Sequence, residues 1–318
     1  LAENGNLQAL ANTAWAFAKL NITAPILFQN FEERASFLVK KGNPKDLRML
    51  GSAFSRLNYD VPEQFSAVPE DASFQSNPVR KRSFEINKLL SDAGDDWRGI
   101  LSIYAAEHAS FNYVNWATTL SKLSKVRGSD ADAMKQSSGF RDLLLKLSRE
   151  MTASPELKNF GGARQVANIV HALAKMRATG DAVSAIMHVV ESDAEWLVEN
   201  GDPQNIANTA WAFATLKTSA PSLFKKIEER ASFLVENGSP QNIANTAWAF
   251  ATLKTPAPDL FKKIEERASF LVEKGNPQEI ANTAWAFAKL NITAPILFKK
   301  IEERASFLVK KGNPKDLR

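Results

Sequence analysis

One phrase recurs along this chain and decides what it can fold into. PQNIANTAWAFATL fills Pro203–Leu216 and returns at Pro240–Leu253. PQEIANTAWAFAKL fills Pro277–Leu290, and LQALANTAWAFAKL fills Leu7–Leu20. Trp211, Trp248 and Trp285 stand 37 residues apart. A period of that size marks a repeat array, in which each unit is too small to bury its own apolar face and must stack on its neighbours. Alignment on NTAWAFA gives seven copies. The place of Asn208 falls to Asn12, Met49, Asn115, Asn168, Asn245 and Asn282 in the others, at successive spacings of 37, 66, 53, 40, 37 and 37.

Each unit reads as two helices. Asp202 is a good N-cap and Pro203 sits at the first helical position, where its missing N–H costs nothing. Ser239 and Asn276 take the cap position in the next two copies, and Glu279 is placed to close a capping box with Asn276. Helix one runs to about Leu216. Pro221 opens helix two, which ends at Gly238. The expected fold is all-α: an α-solenoid of stacked helical hairpins with about 37–40 residues per repeat.

The expected organisation is one array over 1–318, with repeats near 7–43, 44–65, 110–153, 163–201, 202–238, 239–275 and 276–312. Residues 66–82 read as a Pro/Ser-rich loop ending in Arg80-Lys81-Arg82, 83–109 as an extra helical hairpin, and 124–138 as a second loop. A chain that opens and closes inside a repeat reads as a piece of a longer protein.

Composition narrows function by exclusion. With no Cys there is no disulfide framework and no thiolate metal site. No apolar run approaches the ~20 residues that span a bilayer. His108, His171 and His188 share no ligand spacing, and no nucleophile is paired with a base. The expectation is therefore no enzyme, no cofactor and no metal. The net charge of +5 favours an anionic partner, but only mildly.

The faces of helix one carry the functional reading. On a helical wheel Ile206, Ala207, Ala210, Trp211, Phe213 and Ala214 form an apolar arc, with the Trp expected in the core between repeats. Gln204, Asn205, Asn208, Ala212 and Thr215 form the opposite arc. Amides around a small residue can grip a ligand backbone or read a base edge. Helix two carries Lys225, Glu229, Ser232 and Glu236 on its outer arc, an ordinary solvated surface.

Candidate contacts follow from three places along this arc. The 208 place supplies Asn12, Asn115, Asn168, Asn208, Asn245 and Asn282; these amides either meet a ligand or bond within the fold. The variable 205 place supplies Asn112, Gln165, Asn205, Asn242 and Glu279. The 215 place supplies Lys19, Arg56, Lys122, Lys175, Thr215, Thr252 and Lys289. A cationic row there either tracks phosphates or complements the helix dipole. Gln204 and Arg164 flank these places.

The phrase PQxIANTAWAFAxL followed by a Pro-led second helix resembles the octotricopeptide repeat. Pro203-Gln204, Ile206-Ala207-Asn208, Trp211-Ala212-Phe213-Ala214 and Leu216 carry the likeness, as do the next two copies. Copy one has Leu7 in place of the Pro, and copy four has His171 in place of the Trp. Copy three has Thr118 at the Trp place, and copy two keeps little beyond Pro44, Leu47, Phe54 and Leu57. The resemblance implies a non-catalytic binder of single-stranded RNA in a chloroplast or mitochondrion. Its implied roles are transcript stability, processing, translation or ribosome assembly, with organellar ribosomal RNA and proteins as further partners. The alternative is a protein-binding scaffold subunit of an organellar complex such as a ribosome.

Overall fold

The computed structural model describes residues 7–41, 44–66, 78–153 and 156–304. These form 21 α-helices and, among the described residues, no strand. The chain divides into two compact units, residues 1–81 and 82–318.

In the first unit, α1 (Leu7–Lys19) packs on α4 (Pro44–Arg56), with α2 (Pro25–Glu33), α3 (Ala35–Lys41) and the short α5 (Glu63–Ser66) alongside. Phe28 is its centre. Its ring meets Phe54 edge-on at 4.8 Å and stacks on Tyr59 at 4.8 Å. The Tyr59 hydroxyl in turn accepts the Ala24 N–H at 3.1 Å.

The second unit contains the regular array and a single continuous core. Its helices are α6 (Pro78–Asp92), α7 (Trp97–Glu107), α8 (Tyr113–Leu123), α9 (Gly128–Gln136), α10 (Ser138–Ala153), α11 (Ala163–Met176), α12 (Asp181–Ser192) and α13 (Ala194–Asn200). Then follow α14 (Pro203–Leu216), α15 (Pro221–Glu229), α16 (Ala231–Asn237), α17 (Pro240–Leu253), α18 (Pro258–Glu266), α19 (Ala268–Lys274), α20 (Pro277–Lys289) and α21 (Pro295–Glu303). The helices α8, α11, α14, α17 and α20 stack side by side as a layer, each on the next, as a solenoid requires.

A repeat is three helices, not two. Helix two breaks at Arg230 (φ −107°, ψ 18°) into α15 and α16, and the same break recurs at Arg267. The equivalent break in the preceding repeat falls at Asp193, and at Arg230 and Arg267 the residue at the break contacts the neighbouring repeat. The Arg230 guanidinium reaches back to the carbonyls of Val198 and Glu199 at the end of α13, and it stacks on Phe233 at 3.8 Å. Arg267 does the same with the Val235 carbonyl and Phe270. A cation thus satisfies carbonyls that a helix end leaves open.

A carboxylate works in the other direction. Glu191 accepts the N–H groups of Ser222 and Leu223 (2.6 and 3.1 Å), and Glu228 those of Asp259 and Leu260 (2.8 and 3.2 Å). Glu265 repeats the contact with the Ile296 N–H. These helices begin with Pro and have no side-chain cap of their own, so the preceding repeat caps them. Burial pushes the Glu228 carboxyl above its ordinary pKa.

The caps of the first helix in each repeat form as their residues dictate. Asp202 accepts the Asn205 N–H at 2.7 Å, and Ser239 and Asn276 close full capping boxes with Asn242 and Glu279. Gly238 follows α16, but its φ is −78° and open to any residue. Its role is steric: a Cβ would lie 2.4 Å from the Leu234 carbonyl.

The turn after α14 does demand a left-handed residue, and Lys217 (φ 55°) fills it, as Lys254 (φ 55°) does after α17. Copies one, two and seven place Asn21, Asn58 and Asn291 there, which tolerate that conformation better. Lys217→Asn with Lys254→Asn is therefore expected to raise stability by about 1 kcal/mol, read as an increased melting temperature.

The segment 124–138, expected as a loop, holds α9 over 128–136. In 66–82 the structure places a helix from Pro78, so Arg82 is helical and pairs with Glu85 and Glu107. Residues 67–77 lie outside the described residues. The expected extra hairpin region, 83–109, is occupied by α6 and α7.

Candidate functional site

A helix inside a layer is covered on both flanks by its neighbours and behind by the second layer. Only a narrow stripe is left open. At about 100° per residue, positions 204, 208, 211 and 215 fall within about 60° of one another. Gln204 is exposed and Asn208, Trp211 and Thr215 are partly so, while every residue between them in α14 is buried.

Stacking the stripes of α11, α14, α17 and α20 makes four rows. The first is Arg164, Gln204, Gln241 and Gln278, all exposed. The second is Asn168, Asn208, Asn245 and Asn282, partly exposed. Among the described residues no protein group bonds any of these four amides. The third is an aromatic row: His171 lies 5.0 Å from Trp211, Trp211 lies 6.4 Å from Trp248, and Trp285 is 42% exposed. Burial, with Lys175 adding to it, pulls the His171 pKa below its usual value, which favours the neutral ring. The fourth row is Lys175, Thr215, Thr252 and Lys289.

Several expected contacts take other places. Trp211 and Trp248, expected in the core, pack against it and stay partly exposed, and Trp285 is exposed. Ala212, expected at the centre of the open arc, is fully buried, as is Ala249. Both lie about 80° off the stripe, on the flank a neighbouring helix covers.

The 205 place is on that flank too. Asn205 is 7% exposed, and Asn242 and Glu279 turn back to accept the N–H of their own N-caps at 3.1 and 2.9 Å. Gln165 stays partly exposed. Thr215 and Thr252 are on the stripe, but their hydroxyl oxygens are buried without a hydrogen-bond partner and are not offered to a ligand.

Copy three needs a new register. Asn112 is the N-cap of α8, accepting the N–H groups of Val114 and Asn115, and so matches Asp202. Asn115 then matches Asn205, not Asn208. It is fully buried and bonded to the backbone of Asn112 and to Ser83. The pattern of buried and open residues from Asn115 to Lys125 follows that from Asn205 to Thr215 almost position for position. The stripe of α8 is therefore Val114, Thr118 and Ser121, continued by Lys125 in the turn that follows. Lys122 leaves the stripe and donates to the carbonyls of Ser91, in the last turn of α6, and Gly94, just after it (3.3 and 3.1 Å). Placing Asn115 at the 208 place overlooks the cap: Asn112, one position before the helix, fixes the frame.

In the first unit the same stripe exposes Gln8, Asn12, Trp15 and Lys19 on α1, with Lys19 over the Trp15 ring at 4.7 Å, and Ser52 and Arg56 on α4. Among the described residues no group of His, Asp or Glu could hold a metal ion, and no helix is long and apolar enough to cross a membrane.

The model of the RNA-editing substrate-binding complex 6 protein family matches residues 131–318, which is 188 of 318 residues. The chain belongs to that family. The RNA-editing substrate-binding complex 6 match takes in α11, α14, α17 and α20, the four helices that build the rows. No curated protein matches the chain.

Proposed function

We propose that this RNA-editing substrate-binding complex 6 family member is a non-catalytic subunit that holds single-stranded RNA along the open stripe of its first-helix layer, at roughly one nucleotide per repeat. The observation that carries this is the column of unbonded amides beside a half-open aromatic row. Amides can pair with base edges, and the rings give every base a stacking face. Lys175 and Lys289 at the fourth row supply cations for phosphates, and Lys289 also lies over the Trp285 ring at 5.9 Å. The repeat is of octotricopeptide type in this reading, and family membership favours the mitochondrion over the chloroplast.

Lys175→Ala with Lys289→Ala tests it. Binding of a labelled single-stranded RNA should weaken, and the slope of log K against log salt should fall by about 1.4, two contacts at ~0.7 each. An unchanged slope would count against phosphate tracking by this row.

A second reading, a scaffold that holds protein, is favoured by an apolar cavity of about 540 Å³ lined by Phe261, Phe287, Leu290 and Ile292. Pull-down before and after nuclease treatment separates the two: partners that survive RNA removal support the scaffold.

A further inference from the structure

Where α8 meets α11, the regular pattern fails in a way that leaves a space. The third row should carry a ring on α8, but the corrected register puts Ser121 there. A cavity of about 420 Å³ opens at that point, lined by Thr118 and Ser121 from α8, by Lys125 in the turn just after it, and by Arg164, Gln165 and Asn168 from α11. At the regular joint between α14 and α17 the same row is filled by the Trp211–Trp248 pair.

The chemistry of the lining is one-sided. It includes three cations, Lys122, Lys125 and Arg164, and no carboxylate. Lys122 is spent on the carbonyls beside α6, but Lys125 and Arg164 are exposed and, among the described residues, make no ion pair. The amides of Gln165 and Asn168 are likewise unbonded. The space thus has an empty ring position, two amides beside it and a free cation on each side, Arg164 on α11 and Lys125 in the turn that ends α8. Its volume falls in the range of small-molecule sites, roughly 300–1,000 Å³.

We infer that this cavity is a nucleotide pocket: one base of a bound RNA occupies the ring position left by Ser121, its edge faces Asn168 and Gln165, and its flanking phosphates pair with Lys125 and Arg164. This rests on the reading of the stripe as an RNA surface and adds to it a fixed point. On the regular repeats a strand can shift by one unit and meet the same groups; here it cannot, so the pocket sets the register. The α8 wall lies before residue 131, outside the family match.

The test uses the full chain and a labelled single-stranded RNA of mixed sequence containing thiouridine. Ser121→Trp restores the ring of the regular copies and fills the slot; it is expected to weaken binding about tenfold, the loss of one stacked base. Lys125→Ala with Arg164→Ala, both at the surface, covers the case in which the Trp variant fails to fold. It should lower the salt slope by about 1.4. Photo-cross-links should appear on the 114–125 peptide of the unaltered chain and vanish in Ser121→Trp. If cross-links map to α14, α17 and α20 but not to α8, and both variants bind as the parent does, the pocket is refuted while the RNA surface stands. If no cross-links form anywhere, both readings fall together.

Discussion

Alanine at Asn208, Asn245 and Asn282 together is expected to weaken binding of single-stranded RNA at least a hundredfold, about 3 kcal/mol at the low end of ~1–3 kcal/mol per amide–base pair. The three amides are partly exposed and bonded to nothing in the protein, so their removal leaves no buried group unpaired. Stability should therefore stay within about 0.5 kcal/mol of the parent, and the loss can be assigned to the ligand. Ser232→Ala with Glu236→Ala, on the exposed side of α16, serves as the control and should leave affinity unchanged. A folded triple variant that binds RNA with parental affinity would remove the amide column from the account.

Phe250→Ala is expected to destabilise the protein by about 3–5 kcal/mol. The ring is fully buried on α17 and meets Phe224 of α15 edge-on at 4.7 Å, an aromatic pair that spans two repeats. Because each repeat touches only its neighbours, the damage is confined to one joint. Chemical denaturation should then lose its single sharp transition and separate into two steps, with limited proteolysis cutting near Gly238. Phe250→Leu keeps most of the volume and should cost under about 1.5 kcal/mol. A single sharp transition at parental midpoint for Phe250→Ala would mean that the joint draws little from this pair.

The repeat, its starts and its caps were all written locally. Asp202, Ser239 and Asn276 cap as their side chains allow, and the period follows from the spacing of Trp211, Trp248 and Trp285. What the sequence hid depends on other repeats. At the break, the Arg230 side chain serves carbonyls of α13, more than 30 residues away. The exposure of Trp211 follows from neighbours covering both flanks of α14, which a single-helix wheel treats as open. A wheel gives two arcs of similar width, whereas a layer leaves one stripe: Gln204 and Asn208 lie on it, Thr215 lies on it with its hydroxyl turned in, Asn205 and Ala212 fall on a covered flank, and Trp211 stands half open. In copy three the error was one of frame, and it moved Asn112, Asn115 and Lys122 onto a surface they do not share.

The reciprocal Glu and Arg contacts have a consequence for how such a chain can change. Glu191, Glu228 and Glu265 look forward while Arg230 and Arg267 look back, so successive modules carry a matching plug and socket. A duplicated module finds its connectors already in place on either side. Lineages can lengthen or shorten the run by recombination, with no new joint to invent, so the length of the array changes in whole steps.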